Sequence, residues 1–291
     1  MKNNTMKFLA HEGMVKVTCV NTKDTINKAK EIHGFSKTVT KVMSNVLTVG
    51  TIIGADLKDD IDNVTIQVRG DGPIGQVICV AKKGAKVKGY VKNAQIELAP
   101  TEEGKIDEQA AVGHNGVIYI IKDMGLKEPY VGVIQLNNGD IVNSFVEYYA
   151  KSEQIPTVLS TGMTFDEENN VKVSGGYIIQ LMPDATDEVI EKIEQAIKNS
   201  ESISSMLEKE FDLVKIAKII TGDDNIMMML GEIENEYVCD CSKDRMERGL
   251  VSLGKEELNN IIKDGEDIHT KCHFCNKDYT FTINEITNLI E

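Results

Sequence analysis

The chain has 291 residues, with 32 lysines and arginines against 46 aspartates and glutamates, a formal charge of −14. At ~150 residues per domain this length predicts roughly two domains and a core large enough to fold without staples. The acidic balance argues against a polyanion as main partner, because phosphate binding relies on releasing counterions to basic side chains. No apolar run approaches the ~18 residues of a membrane span, and the first ten residues lack the apolar stretch of a secretory signal, so a cytoplasmic protein with no membrane partner is expected.

Val15 to Val20 and Val64 to Val68 alternate in the manner of strands. Between them, Ser36 can cap a helix carrying Val39, Val42, Met43, Val46 and Leu47 at spacings of three and four. Gly50 and Gly54 either end that helix or permit close packing. Gly70-Asp71-Gly72-Pro73-Ile74-Gly75 matches the G-x-G-x-x-G pattern of dinucleotide loops, whose glycines close a strand and open a helix. The run directly after it, Gln76 to Ala81, is β-rich instead, so a tight turn between strands is expected and no cofactor-binding residue is assigned there. Val87, Gly89 and Val91 alternate again, while residues 117–121 and 177–182 are more continuously apolar, as expected for strands covered on both faces. Asn138-Gly139 and Asn169-Asn170 mark hairpin or loop turns. Cys19 and Cys79 lie inside apolar β-type runs and read as inert core residues.

Charge divides the chain unevenly. Residues 1–182 hold 21 acids and 20 bases, residues 183–238 hold 14 and 5, and residues 239–291 hold 11 and 7. In the acidic stretch, Thr186 can cap a helix whose Val189, Ile190, Ile193 and Ile197 form one stripe, with Glu188–Lys192 and Glu194–Lys198 as ion pairs on its wet side. Asp212 can start another helix bearing Leu213, Ile216 and Ile219 or Ile220, stopped by Gly222. Such short helices need a surface to pack on, which makes this stretch the expected weak part of the molecule. Met227-Met228-Met229 reads as core packing at the junction with the next segment, or as an adaptable binding surface.

Cys239-Asp240-Cys241 is followed, after 30 residues, by Cys272-His273-Phe274-Cys275. Two close pairs of thiolates are what tetrahedral zinc requires, four soft donors from two separated turns. Ser242 caps a helix with Met246, Leu250 and Leu253, ended by Gly254, and Leu258, Ile261 and Ile262 mark a second helix. Lys271 to Asp278 reads as a knuckle between strands, with Tyr279 and Phe281 in the second. Thr282-Ile283-Asn284-Glu285 is a capping box opening a last helix through Ile286, Leu289 and Ile290. So few apolar side chains make this segment marginal without metal, coupling zinc binding to folding. A purely structural zinc and a thiol switch both remain open here, since each pair is also close enough to bridge internally. Lys243, Arg245, Arg248, Lys271 and Lys277 lie near the cysteines in sequence and can favour thiolates. His269 and His273 are secondary candidates as ligands.

The expected fold is therefore α+β: a mixed α/β core domain over residues 1–182, an acidic helical linker over 183–236, and a small four-cysteine zinc domain over 237–291. Over nearly the whole chain the sequence resembles the redox-regulated heat shock protein 33 (33 kDa chaperonin) family. The resemblance rests on Cys-x-Cys-Ser, Leu253-Gly254 and Cys-His-Phe-Cys followed by Tyr-x-Phe. Supporting it are the 70–75 glycine motif, Gly113-His114-Asn115-Gly116, Ser152-Glu153-Gln154-Ile155-Pro156 and Gly175 to Pro183.

The resemblance implies an ATP-independent holdase for unfolding client proteins under oxidative stress, without catalytic residues and without nucleic acid. It implies one Zn2+ per reduced chain on Cys239, Cys241, Cys272 and Cys275. It further implies Cys239–Cys241 and Cys272–Cys275 disulfides on oxidation, zinc release, unfolding of the switch and linker, and an active homodimer. The rival is an interaction or nucleic-acid-binding protein with a structural zinc, which a basic, aromatic-rich module would favour; this module is acidic and the chain has no tryptophan. An enzyme is disfavoured because four cysteines leave no zinc position open for substrate.

Overall fold

Residues 2–229 and 231–289 are described by a computed structural model, Asp264 by its backbone alone. The chain forms two compact units, Met1–Val238 and Cys239–Glu291.

The first unit is organised around one helix that is buried on nearly every side. Strands β1 (Asn4–Ala10) and β2 (Val15–Asn21) and helix α1 (Lys23–His33) lead into α2 (Lys37–Asp56), where Ser36 caps the start by accepting from Val39 N–H. Of the 20 residues of α2, 17 are buried, as befits a helix covered on both sides. On one side lies a sheet from β3 (Asn63–Gly70), β4 (Gln76–Lys82), β5 (Lys86–Val91), β6 (Gly116–Asp123) and β7 (Tyr130–Gln135). On the other lie β1, β2, β8 (Thr157–Phe165) and β9 (Val171–Leu181). Helix α3 (Glu108–Val112) lies between β5 and β6 of the first sheet, and α4 (Ile141–Tyr148) leads from β7 of that sheet toward β8 of the other. Val39, Val46 and Leu47 of α2 share a core with Ile66, Val77 and Cys79 of one sheet and Val20 and Ile178 of the other. Gly50 and Gly54 serve close packing: a Cβ would lie 2.6 Å from Cys79 Sγ at Gly50 and 2.6 Å from the Lys82 carbonyl at Gly54.

The second face of the β1–β2–β9 sheet is also apolar, and the acidic stretch covers it. Helices α5 (Asp187–Asn199), α6 (Ile203–Glu208) and α7 (Leu213–Thr221) lay Val189, Ile193, Ile203, Met206, Leu213, Ile216 and Ile220 onto Phe8, Val15, Val17, Tyr177 and Ile179. Thr186 and Asp212 cap α5 and α7 as expected, and Gly222 ends α7 at φ 65°. Glu188 and Lys192 pair at 2.8 Å, whereas Glu194–Lys198 is not among the ion pairs of the described residues. Beyond Gly222 the chain is extended. It forms β10 (Met227–Met228) and β11 (Ile233–Glu234) antiparallel to β1, then β12 (Glu236–Tyr237) parallel to β5.

Two expectations are corrected and one is met. Met227, Met228 and Met229 are exposed at 60, 47 and 43 %, not packed in a core, because β10 is a two-residue edge strand joined to β1 through its backbone. Strand β9 is buried on both faces from Ser174 to Gln180, but β6 buries only Ile118 and Ile120, facing α2, and leaves Val117, Tyr119 and Ile121 partly open. The 70–75 glycines turn β3 into β4 with no helix behind them. A Cβ at Gly72 would meet the Ala111 carbonyl at 2.4 Å, and Asp71 holds Asn115 through its backbone N–H at 3.1 Å and Nδ2 at 2.8 Å. The motif is a packing device.

The second unit contains α8 (Lys243–Val251), α9 (Lys255–Asp264), the hairpin β13 (Ile268–Lys271) and β14 (Asp278–Phe281), and α10 (Ile283–Asn288). Both halves of the Thr282–Glu285 capping box are made. Ile290 lies outside the described residues.

Candidate metal centre

Cys239 and Cys241 stand just before α8, whose cap, Ser242, accepts from Arg245 N–H at 3.2 Å and turns the chain after the second thiol. Cys272 and Cys275 occupy the β13–β14 turn. Cys272 N–H donates to the Lys277 carbonyl at 2.9 Å, and Asn276 N–H to the Cys272 carbonyl at 2.9 Å, with Asn276 in the left-handed region at φ 58°. This knuckle brings the second pair of sulfurs against the first.

All four Sγ atoms lie within 4.8 Å of one another. The contacts across the two motifs are Cys239–Cys272 at 3.7 Å and Cys241–Cys275 at 3.3 Å. A tetrahedron with arms of ~2.3 Å, the zinc–sulfur length, has edges of ~3.8 Å, so four thiolates at these separations fit a metal ion of that kind. All four are free thiols, far from the ~2.05 Å of a bond between sulfurs.

Burial raises the Cys241 thiol, but the Tyr279 hydroxyl donating to its sulfur at 3.0 Å and the neighbouring thiols outweigh this and bring it to about 7. Burial pushes the Cys239 and Cys275 thiols up, and their hydrogen bonds to Cys241 add to the rise. The Tyr279 phenol is raised by its bond to Cys241. Sequence reading placed Tyr279 in a strand and missed this contact; a hydroxyl four residues after the last cysteine is the only trace it leaves.

The basic residues near the cysteines have other partners. Arg245 binds Asp240 at 2.6 Å, Lys243 binds Glu285, Lys271 approaches Asp278 at 3.7 Å, and Lys277 lies 5.2 Å from the Tyr279 ring centre. His269 Nδ1 lies 3.0 Å from Thr280 Oγ1, and neither His269 nor His273 belongs to the thiol cluster. Cys19 and Cys79 are fully buried with their thiols pushed up by burial, Cys79 to about 12, and are not members of the thiol cluster. Around the cysteines the apolar core is small: Leu258, Tyr279, Phe281 and Ile286 are its buried members besides Cys272. Among the described residues no helix is long and apolar enough to cross a membrane.

Comparison with known proteins gives the class first. The 33 kDa chaperonin of Thermoanaerobacter sp. (strain X514) is 36 % identical over 290 residues, 100 % of this chain and 98 % of that protein. The 33 kDa chaperonin of Caldanaerobacter subterraneus subsp. tengcongensis is 37 % identical over 291 residues, 100 % of this chain and 99 % of that one. The crystal structure of the 33 kDa chaperonin (heat shock protein 33 homolog) of Thermotoga maritima matches with a TM-score of 0.87 at 30 % identity, covering 99 % of this chain and 98 % of that one. These relatives are named as chaperonins and not as enzymes.

The sequence profile described as Hsp33 protein matches residues 3–282, and the chain belongs to the Hsp33 family. It is a chaperone-family protein whose four-cysteine cluster suits metal or redox chemistry.

Proposed function

We propose that this chain is a redox-regulated, ATP-independent holdase of the cytoplasm, inactive while its thiols are reduced and zinc is bound. The observation that carries the proposal is the convergence of four sulfurs from two distant motifs in the unit with the smallest core. The stretch that precedes this unit in the chain covers an apolar sheet face. Residues 183–236 act as the linker in this scheme, and residues 237–291 as the switch domain.

Cys239, Cys241, Cys272 and Cys275 hold one Zn2+ as thiolates. When bound, the ion neutralises the crowded sulfurs and contributes folding free energy that four buried apolar side chains do not supply. Under peroxide, Cys239 joins Cys241 and Cys272 joins Cys275. Each new S–S bond takes two electrons from a pair of thiolates, and one hydrogen peroxide accepts them together with two protons from the solvent and leaves as two waters. With all four donors consumed, the small unit loses its source of stability. The linker equilibrium then shifts toward an open state in which Phe8, Val17, Tyr177 and Ile179 can meet the exposed apolar segments of unfolding proteins. The open form associates as a homodimer.

The reduced, zinc-loaded chain treated with peroxide under mild heat tests this, with a chromogenic chelator reporting metal and light scattering reporting aggregation of an unfolding client. About one zinc per chain should leave as protection appears, and thiol reduction with added zinc should reverse both. Zinc that leaves without protection, or protection with zinc still bound, contradicts the proposal.

A further inference from the structure

Residues 227–229 and 231–238 lie along both sheets of the first unit. Met229 N–H donates to the Lys7 carbonyl at 2.9 Å, continuing β10, and Asn235 N–H donates to the Asn3 carbonyl at 2.9 Å, continuing β11. The chain then crosses to the other sheet. Glu236 N–H reaches the Ala85 carbonyl at 3.4 Å, and Val238 N–H the Val87 carbonyl at 2.9 Å. At the next ladder position the Tyr237 hydroxyl takes over. It accepts from Gly89 N–H at 3.2 Å and donates to the Gly89 carbonyl at 2.7 Å, closing the β5 edge with a side chain. The described residues between Met227 and Val238 therefore pair with the outer edges of both β1 and β5.

The side chains show how this segment is held. Asn235 is buried, with Oδ1 accepting from Thr5 Oγ1 at 2.6 Å and Nδ2 donating to the Asn21 carbonyl at 2.8 Å, so it pins the register. The methionines of β10 are largely exposed. Each strand is two residues long, and the attachment rests on edge hydrogen bonds and the polar side chains of Glu232, Asn235 and Tyr237 more than on buried apolar area. Segments of that kind sit at the low-stability end of a fold. Val238 is also joined directly to Cys239, the first thiol of the cluster.

An edge strand vacated in this way presents a row of unpaired N–H and C=O groups, which another extended chain can satisfy whatever its sequence. We infer that the outer edges of β1 and β5 are binding sites for extended polypeptide segments of unfolding proteins, and that residues 227–238 occupy them as a built-in strand until the four-cysteine unit opens. The inference rests on the chaperone reading for the opening event and adds where and how a client is held. The ligand class is an extended backbone free of proline at the pairing positions, with alternating side chains like Ile233, Asn235 and Tyr237 on one side and Glu232, Glu234 and Glu236 on the other.

The test uses the full chain and a fluorescent peptide of residues 227–238, alongside the same peptide N-methylated at Met229, Glu236 and Val238. Methylation leaves every side chain in place and removes three of the edge donors. After peroxide treatment and removal of the oxidant, the chain should bind the unmodified peptide at least about tenfold more tightly than the methylated one. The reduced, zinc-loaded chain should bind neither. Excess unmodified peptide should also abolish client protection. In the reduced state, an Asn235→Ala/Tyr237→Phe chain should bind the peptide where the wild type does not; the oxidised wild-type measurement stands even if that variant fails to fold. Equal binding of the two peptides, or none, overturns edge capture while leaving a measured client protection intact. Selective peptide binding without client protection supports the edges and sinks the chaperone reading instead.

Discussion

Lys7 crosses the β1–β2–β9 sheet to the far end of α2, where its buried ammonium donates to the Ala55 carbonyl and pairs with Asp56 at 2.7 Å; Lys16 holds the other carboxylate oxygen at 2.7 Å. Two cations at a helix C-terminus oppose its negative dipole end and tie α2 to the sheet. Burial raises the Asp56 carboxyl, but Lys16 and Lys7 outweigh it and hold the group below the usual carboxylate range. Its folded-state value being depressed, the contribution is present above the unfolded value of ~3.9 and is lost as pH falls through the folded one. Asp56→Asn should cost about 2 kcal/mol in urea unfolding at neutral pH, discounted for the partly exposed carboxylate, and the gap to wild type should close in strong acid. A gap that persists there would remove the electrostatic explanation. Gly50 gives a sign test. Glycine to alanine inside a helix ordinarily gains up to ~1 kcal/mol. With Cys79 Sγ 2.6 Å from the new Cβ, Gly50→Ala should instead lose about 1–3 kcal/mol, and adding Cys79→Ala should recover most of it. No recovery in the double variant would show that the contact is not the cause.

Among the elements, α2, α5 and α7 to α10 are legible in the sequence, whereas α1, α3, α4 and α6 are not. Ser36, Thr186, Asp212, Ser242 and Thr282 all cap the helices they were expected to cap, because a hydroxyl or carboxylate three residues before an apolar stripe is a local signal. The four cysteines were readable for the same reason, each pair being set by a single turn. Strands β10, β11 and β12 are not legible either: two residues cannot show a period, and what pairs them is an edge far away in the chain, as in Asn4–Glu234 and Lys86–Glu236. The methionines were misread because apolar character alone does not say whether a second layer exists. Helices α5 to α7 carry the regulatory load in the proposed scheme, so weakening their grip should bypass the switch. Ile216→Ala, at a fully buried position facing the sheet, should cost roughly 2–4 kcal/mol and give partial client protection in the reduced, zinc-loaded state. A destabilised variant with no such protection would separate the linker from client binding.

At the scale of the whole molecule, the account is a chain of dependences along the sequence. In the proposed scheme, metal on the four thiols stabilises a unit with a small core, opening of that unit frees the segment joined to it at Val238, and that segment follows the helices that cover an apolar sheet. The α2-centred core lies outside this chain, with its own extensive apolar packing and the Lys7–Asp56–Lys16 tie. Loss of the metal-holding thiols should therefore release the periphery and spare the centre. Amide hydrogen exchange on the full chain, reduced with zinc and again after oxidation, reads this directly. The account predicts that residues 187–221 and 227–238 lose protection together with 239–291, while α2, β3 and β4 keep theirs. Increased exchange confined to 239–291, with α5 to α7 unchanged, would contradict it.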